Sequence, residues 1–114
     1  MRWMIAFGLL ALTVPAFADA PNPAIARTWK AKCASCHGAD GKAQTEQGKK
    51  MKIADMSTAE WQSKITDDKI KAAIADGVKR TTPDGTKQEM EAYKSKLRPD
   101  QIDGLVAYVR ALKK

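Results

Sequence analysis

Both cysteines and the only histidine of this 114-residue chain fall within five consecutive positions, Cys33-Ala34-Ser35-Cys36-His37. On a helical turn, residues at i, i+3 and i+4 share one face. Two thiols and an imidazole are therefore presented together to whatever packs against that face. The rest of the chain is short of material for a core. Residues 1–18 hold both phenylalanines, and the 96 residues from Asp19 onward contain only 21 hydrophobic side chains larger than alanine. A domain of that size is marginal even when well packed, and commonly leans on a disulfide, a metal or a cofactor. Two cysteines exclude a multi-disulfide scaffold, so a non-protein group is expected to complete the core.

The C-x-x-C-H spacing is that of covalent c-type haem attachment. Thiols at i and i+3 match the two vinyl groups on one side of a porphyrin, and the imidazole at i+4 then falls beneath the iron. Three other readings compete. A thioredoxin-like disulfide between Cys33 and Cys36 expects a βαβ context, whereas the periodicity here is helical throughout. A structural zinc site needs four ligands, and the chain has no further cysteine or histidine. Two incidental cysteines before a surface histidine leave the thin core unexplained. One covalently bound haem c is the favoured reading.

The amino terminus has the anatomy of a secretory signal. Arg2 supplies a positive start, Trp3 to Ala18 carry no charge, and Ala16-Phe17-Ala18 is a small-x-small cleavage pattern. The uncharged run falls short of the roughly 20 residues a spanning helix needs. Residues 1–18 are thus expected to be a signal peptide removed after Ala18, leaving residues 19–114 as one exported domain in a periplasm-like space. No stable membrane insertion is expected.

Along that domain, Asn22 and Pro23 form a helix start, and Ile25, Trp29 and Cys33 recur on one face. Residues 38–56 read as loop. Ser57-Thr58-Ala59-Glu60 reads as a capping box opening a short helix with Trp61. Thr66 caps a helix carrying Ile70 and Ile74, with Gly77 placed to end it. Residues 78–89 read as a second loop around Pro83 and Asp84-Gly85. Pro99 opens a last helix whose Ile102, Leu105, Val106, Val109 and Leu112 make an apolar stripe. The expected fold is all-α, with about four helices and two loops wrapped around one haem.

A sixth iron ligand would be methionine, histidine or nothing. The lone histidine excludes a bis-histidine site within the chain, leaving Met51, Met56 and Met90, each of which is otherwise ordinary core filler. Spacing favours Met90, which lies before the last helix.

The segments CASCHGADGK, ADMSTAEWQSKITDDKIKAAIADGV and QEMEAYKSKLRPDQIDGLVAYVRAL together resemble a class I c-type cytochrome over nearly the whole exported domain. The resemblance implies a cytochrome c-like fold, with His37 as proximal and Met90 as distal axial ligand. It implies crossing first and last helices that bring Trp29 to the Leu105–Val109 face. Two departures stand out. Glu91 follows Met90 where the family often has proline, and residues 38–60 contain no proline to offer a carbonyl to the proximal imidazole.

A haem held between imidazole and thioether has no open position, which suits one-electron transfer and not catalysis. Trp61 is a candidate hydrogen-bond donor to a haem propionate, with simple packing as the alternative; Tyr93 is a candidate cover for the distal side, again with packing as the equal alternative. Net charge is +7 for the whole chain. Lys42, Lys49, Lys50, Lys52, Lys79, Arg80, Lys87, Lys94 and Lys96 lie in the two loops or beside Met90. They would form a basic ring that steers acidic redox partners such as a cytochrome complex, dehydrogenase, oxidase or reductase. Nucleic acid is not an expected partner, and a monomer is expected. Two other functions compete with a free carrier. One is a gas sensor or peroxidase-like protein with an open or labile sixth position; the other is a cytochrome subunit held in a larger oxidoreductase.

Overall fold

The computed structural model describes Gly8 and residues 22–114, so the expected signal peptide, Gly8 apart, and its expected cleavage point lie outside the described residues. Helix α1 (Pro23–Lys32) starts as the sequence suggests, with the Asn22 side chain accepting from the Ala24 N–H and proline in the first turn. It stops at Cys33, and a separate short helix, α2 (Ala34–His37), carries the rest of the motif. Helix α3 (Glu46–Lys50) follows, then α4 (Ala59–Lys64) and α5 (Asp67–Asp76). Strands β1 (Val78–Thr81) and β2 (Lys87–Met90) come next, and α6 (Pro99–Ala111) closes the chain.

The all-α reading holds for most of the chain, with three corrections. Residues 38–56 are not all loop. Thr45 caps α3 by accepting from the Gly48 N–H, and that helix packs on α2. Secondly, the expected capping box from Ser57 does not form, and the helix cap lies one residue later. The Ser57 hydroxyl and N–H are both taken by the Asp55 carboxylate, so Thr58 becomes the cap and accepts from Trp61. Thirdly, residues 78–89 fold with Met90 into an antiparallel hairpin, pairing Val78 with Met90 and Thr81 with Lys87. The Asp84-Gly85 turn is visible in the sequence, whereas in the strands the β-branched Val78 and Thr81 are outnumbered by lysine, arginine, glutamine and glutamate, which leaves little β signal. The described residues thus form six helical segments and one hairpin in place of about four helices and two loops.

Thr66 and Gly77 bound α5 as expected, the glycine at a φ of 76°. Helix α1 crosses α6 where Gly104 meets Ile25; a Cβ on that glycine would stand 2.7 Å from Ile25 Cδ1. Trp29 stacks against Tyr108 at 5.0 Å between ring centroids. Ile25, Trp29, Leu97, Ile102, Leu105, Val106 and Val109 are all buried there. A second link joins α4, α5 and α6. Gln62 donates to the carbonyls of Met56 and Val109 at 2.7 and 2.9 Å. Arg110 donates to Gln62 and Ile65 carbonyls and to Asp67. Arg110 therefore does more than balance the dipole of its helix.

Candidate functional site

The motif turn is held from three sides. Cys36 and His37 both donate their N–H groups to the Cys33 carbonyl, at 3.2 and 2.9 Å, which puts residues 33, 36 and 37 on one helical turn. Thr45 donates its hydroxyl to the Cys36 carbonyl at 2.9 Å. The Ala43 N–H reaches the His37 carbonyl at 2.8 Å, and the buried Trp29 indole N–H reaches the Gly38 carbonyl at 3.1 Å. Trp29 also lies against the imidazole, 5.8 Å between ring centroids.

These groups line a cavity of about 680 Å³. Cys33, Cys36 and His37 contribute to its wall with Trp29; Ile70 and Ile74 come from α5, and Leu105 and Val109 from α6. All three methionines of the described chain, Met51, Met56 and Met90, line it as well, as do Trp61 and Tyr93. Ile25, Leu97, Ile102 and Val106 do not line it; they are buried in the same hydrophobic cluster as Trp29. Tyr93 ties this wall together, its hydroxyl donating to the Lys32 carbonyl at 3.3 Å. Trp61 is half-buried.

The electrostatics follow from burial. The Cys33 thiol is pushed up to about 11, chiefly by burial and further by Cys36, against a smaller opposing effect of Lys32. Both cysteines are unpaired thiols. Burial lowers the imidazole of His37 below its ordinary value, so at neutral pH it is the uncharged ring, the form that binds metals. Its Nδ1 is buried without a hydrogen-bond partner. No proline carbonyl is available to it, in line with the departure noted above. Among the described residues no three His, Cys, Asp or Glu side chains cluster to hold a bare metal ion.

The donor set fits a haem. Two free thiols and one neutral imidazole sit on a single turn, facing an apolar cavity in the size range of cofactor pockets. With haem filling that cavity, the deficit of large apolar side chains is explained.

Fold and site define a haem protein of the c type. The family model described as Cytochrome c matches residues 24–113, and this chain belongs to that family. It is 35% identical over 106 residues to cytochrome c6 of Nostoc sp. (strain PCC 7120 / SAG 25.82 / UTEX 2576), covering 92% of this chain and 82% of the relative. The solved structure of the KustC0563 c-type cytochrome superposes with a TM-score of 0.64 at 34% identity, over 78% of this chain and 96% of that one. The chain is an electron-transfer protein, not an enzyme, and its cofactor is covalently attached haem c.

The basic ring is thinner than its composition suggests. Lys52 pairs with Asp84, Lys94 with Asp76 and Lys96 with Glu91. Lys49, Lys50, Lys79 and Lys87 remain exposed without an ion pair among the described residues. Reading the sequence also missed Lys32 and Lys69, which line the cavity directly.

Proposed function

We propose that this chain is an exported, soluble monohaem carrier that moves single electrons between redox partner proteins. In this reading Cys33 and Cys36 would hold the haem through thioether bonds, and His37 and Met90 would bind its iron. The observation that carries it is the convergence of Cys33, Cys36, His37 and Met90 on one apolar cavity.

The bound haem supplies an iron that alternates between ferrous and ferric. His37 offers its Nε2 lone pair as a neutral ring, its orientation kept by Trp29. The soft thioether of Met90 would supply the second ligand to that iron and favour the reduced state. Ile70, Ile74, Leu105 and Val109 exclude water, so little solvent reorganises when the charge changes. The half-buried Trp61, which lines the cavity, would donate its indole N–H to a haem propionate. The exposed Lys49, Lys50, Lys79 and Lys87 raise the encounter rate with acidic partners, an effect that fades with salt. Export rests on residues 1–18; among the described residues no helix is long and apolar enough to cross a membrane.

Because Met51 and Met56 line the same cavity, the ligand needs a direct test. The ferric protein should show the weak long-wavelength sulfur-to-iron absorption band. Met90→Ala should abolish it, and Met51→Ala and Met56→Ala should retain it. Loss of the band in Met56→Ala alone would reassign the ligand. Rapid carbon monoxide binding by the reduced parent would indicate an open or labile site, the sensor reading. Mass spectrometry of protein recovered from its producing cell should find a chain beginning at Asp19.

A further inference from the structure

We infer that Gln88 is the positioning residue that holds the methionine-bearing strand of the hairpin over the haem cavity. The inference rests on Met90 being the distal ligand. Residues two apart on a strand share a face, and along β2 the exposure alternates so that Gln88 and Met90 are both half-buried while Lys87 and Glu89 are exposed. Gln88 and Met90 both line the cavity.

The Gln88 amide is engaged at both ends. Its Nε2 donates to the Met51 carbonyl at 2.9 Å and to the Lys52 carbonyl at 3.0 Å. Its Oε1 accepts from Arg80 Nε on the neighbouring strand at 2.7 Å. One side chain thereby joins β1, β2 and the segment after α3. Two successive carbonyls converge on one amide because Lys52 adopts a left-handed backbone, φ 52°. An extended residue there would send them to opposite sides. The Lys52 ammonium closes the same contact from outside by pairing with Asp84 in the hairpin turn.

This device stands where the chain lacks another. With Glu91 after Met90, no proline stiffens the approach to the ligand. The hairpin is anchored through the amide two residues before it.

Gln88→Ala removes the contact, and Gln88→Glu keeps the shape while replacing the donor with a carboxylate facing two carbonyls. Thr81→Ala, exposed on the same hairpin, is the control. Imidazole titration of the ferric holoprotein reads how readily the distal ligand is displaced, and far-UV circular dichroism reads global melting. Of the three bonds lost, the two to Met51 and Lys52 tie the hairpin to the segment after α3, and at the lower part of the ordinary net range they correspond to about a tenfold change. Gln88→Ala should therefore bind imidazole about tenfold more tightly, Gln88→Glu at least as tightly as Gln88→Ala, and Thr81→Ala like the parent. Global melting should be little changed, and the sulfur-to-iron band should vanish at a lower temperature than in the parent. Imidazole affinities within twofold of the parent for both Gln88 variants would overturn the inference. So would a loss of global stability that accounts for the whole gain in affinity. Failure of the underlying ligand assignment is read separately, as retention of the band in Met90→Ala.

Discussion

The indole Nε1–H of Trp29 donates to the carbonyl oxygen of Gly38 at 3.1 Å, within the buried interior. The bond fastens the middle of α1 to the residue directly after His37, so the wall that carries the cysteines and the imidazole keeps its place against α1. Trp29→Phe preserves an aromatic ring between Tyr108 and His37 but removes the donor. The Gly38 carbonyl then keeps only the longer bond from the Gly41 N–H, at 3.3 Å. A loss of about 1–2 kcal/mol is expected, seen as a lower guanidinium midpoint of the holoprotein. A midpoint equal to the parent's would show that the bond adds no net stability.

Gly48 is a point where α3 touches the motif turn. A Cβ there would stand 2.4 Å from the Ala43 carbonyl oxygen and 2.5 Å from that of Cys36. Both are backbone atoms, and the second belongs to the turn that presents the thiol. Gly48→Ala is expected to cost at least about 3 kcal/mol, at the upper end of overpacking effects, and to lower the yield of haem-loaded protein. Gly85 is the contrast. Nothing lies within 4 Å of its added Cβ, although its φ is 88°, so Gly85→Ala should cost only about 1–3 kcal/mol of backbone strain. Equal thermal melting of Gly48→Ala and the parent would refute the close approach.

Gln62 supplies the only donor from the chain to the Met56 carbonyl among the described residues. Gln62→Leu leaves that carbonyl unpaired and deprives Arg110 of a side-chain acceptor. About 2 kcal/mol of destabilisation is expected, with the urea slope unchanged. An unchanged urea midpoint would place the bond among those of no net value.

The Asp84 carboxyl is held well below the usual carboxylate range, first by Lys52 and then by Thr82 and Thr86. A depressed folded pKa means that its stabilising contribution is complete above the ordinary value near 3.8 and is lost as pH falls below it. The stabilising contribution should therefore fall progressively from about pH 4 downward. The Thr86 and Gln88 amide resonances of the folded protein should shift only well below that pH, where the Asp84 carboxyl at last takes up its proton and releases Lys52. Asp84→Asn should remove that acid step. Because both partners are exposed, high salt should shrink it too. An acid step of the same size in Asp84→Asn would assign it to another carboxylate.

Features set by neighbouring residues were readable from the chain alone. Asn22, Thr66 and Gly77 cap or end their helices because caps act over two to four residues. The same holds for Cys33, Cys36 and His37, whose spacing on one turn already implied a haem. Ser57 shows how such a local rule is displaced: its hydroxyl had a second suitor in Asp55, and the helix start moved to Thr58.

Residues close together in the chain therefore specified the chemistry of the cofactor, the helical class and the need for something to fill the core. Tertiary structure decided which groups meet across long stretches of chain. Gln62 reaches Val109, Arg110 reaches Asp67, and Gln88 reaches Met51, contacts that no period of 2 or 3.6 encodes. The hairpin belongs to the same kind. Its polar strands have little preference for pairing alone, and they form where Gln88 and Lys52 give them something to dock on. A turn is specified by the residues within it, whereas a docked strand is specified by the surface it meets.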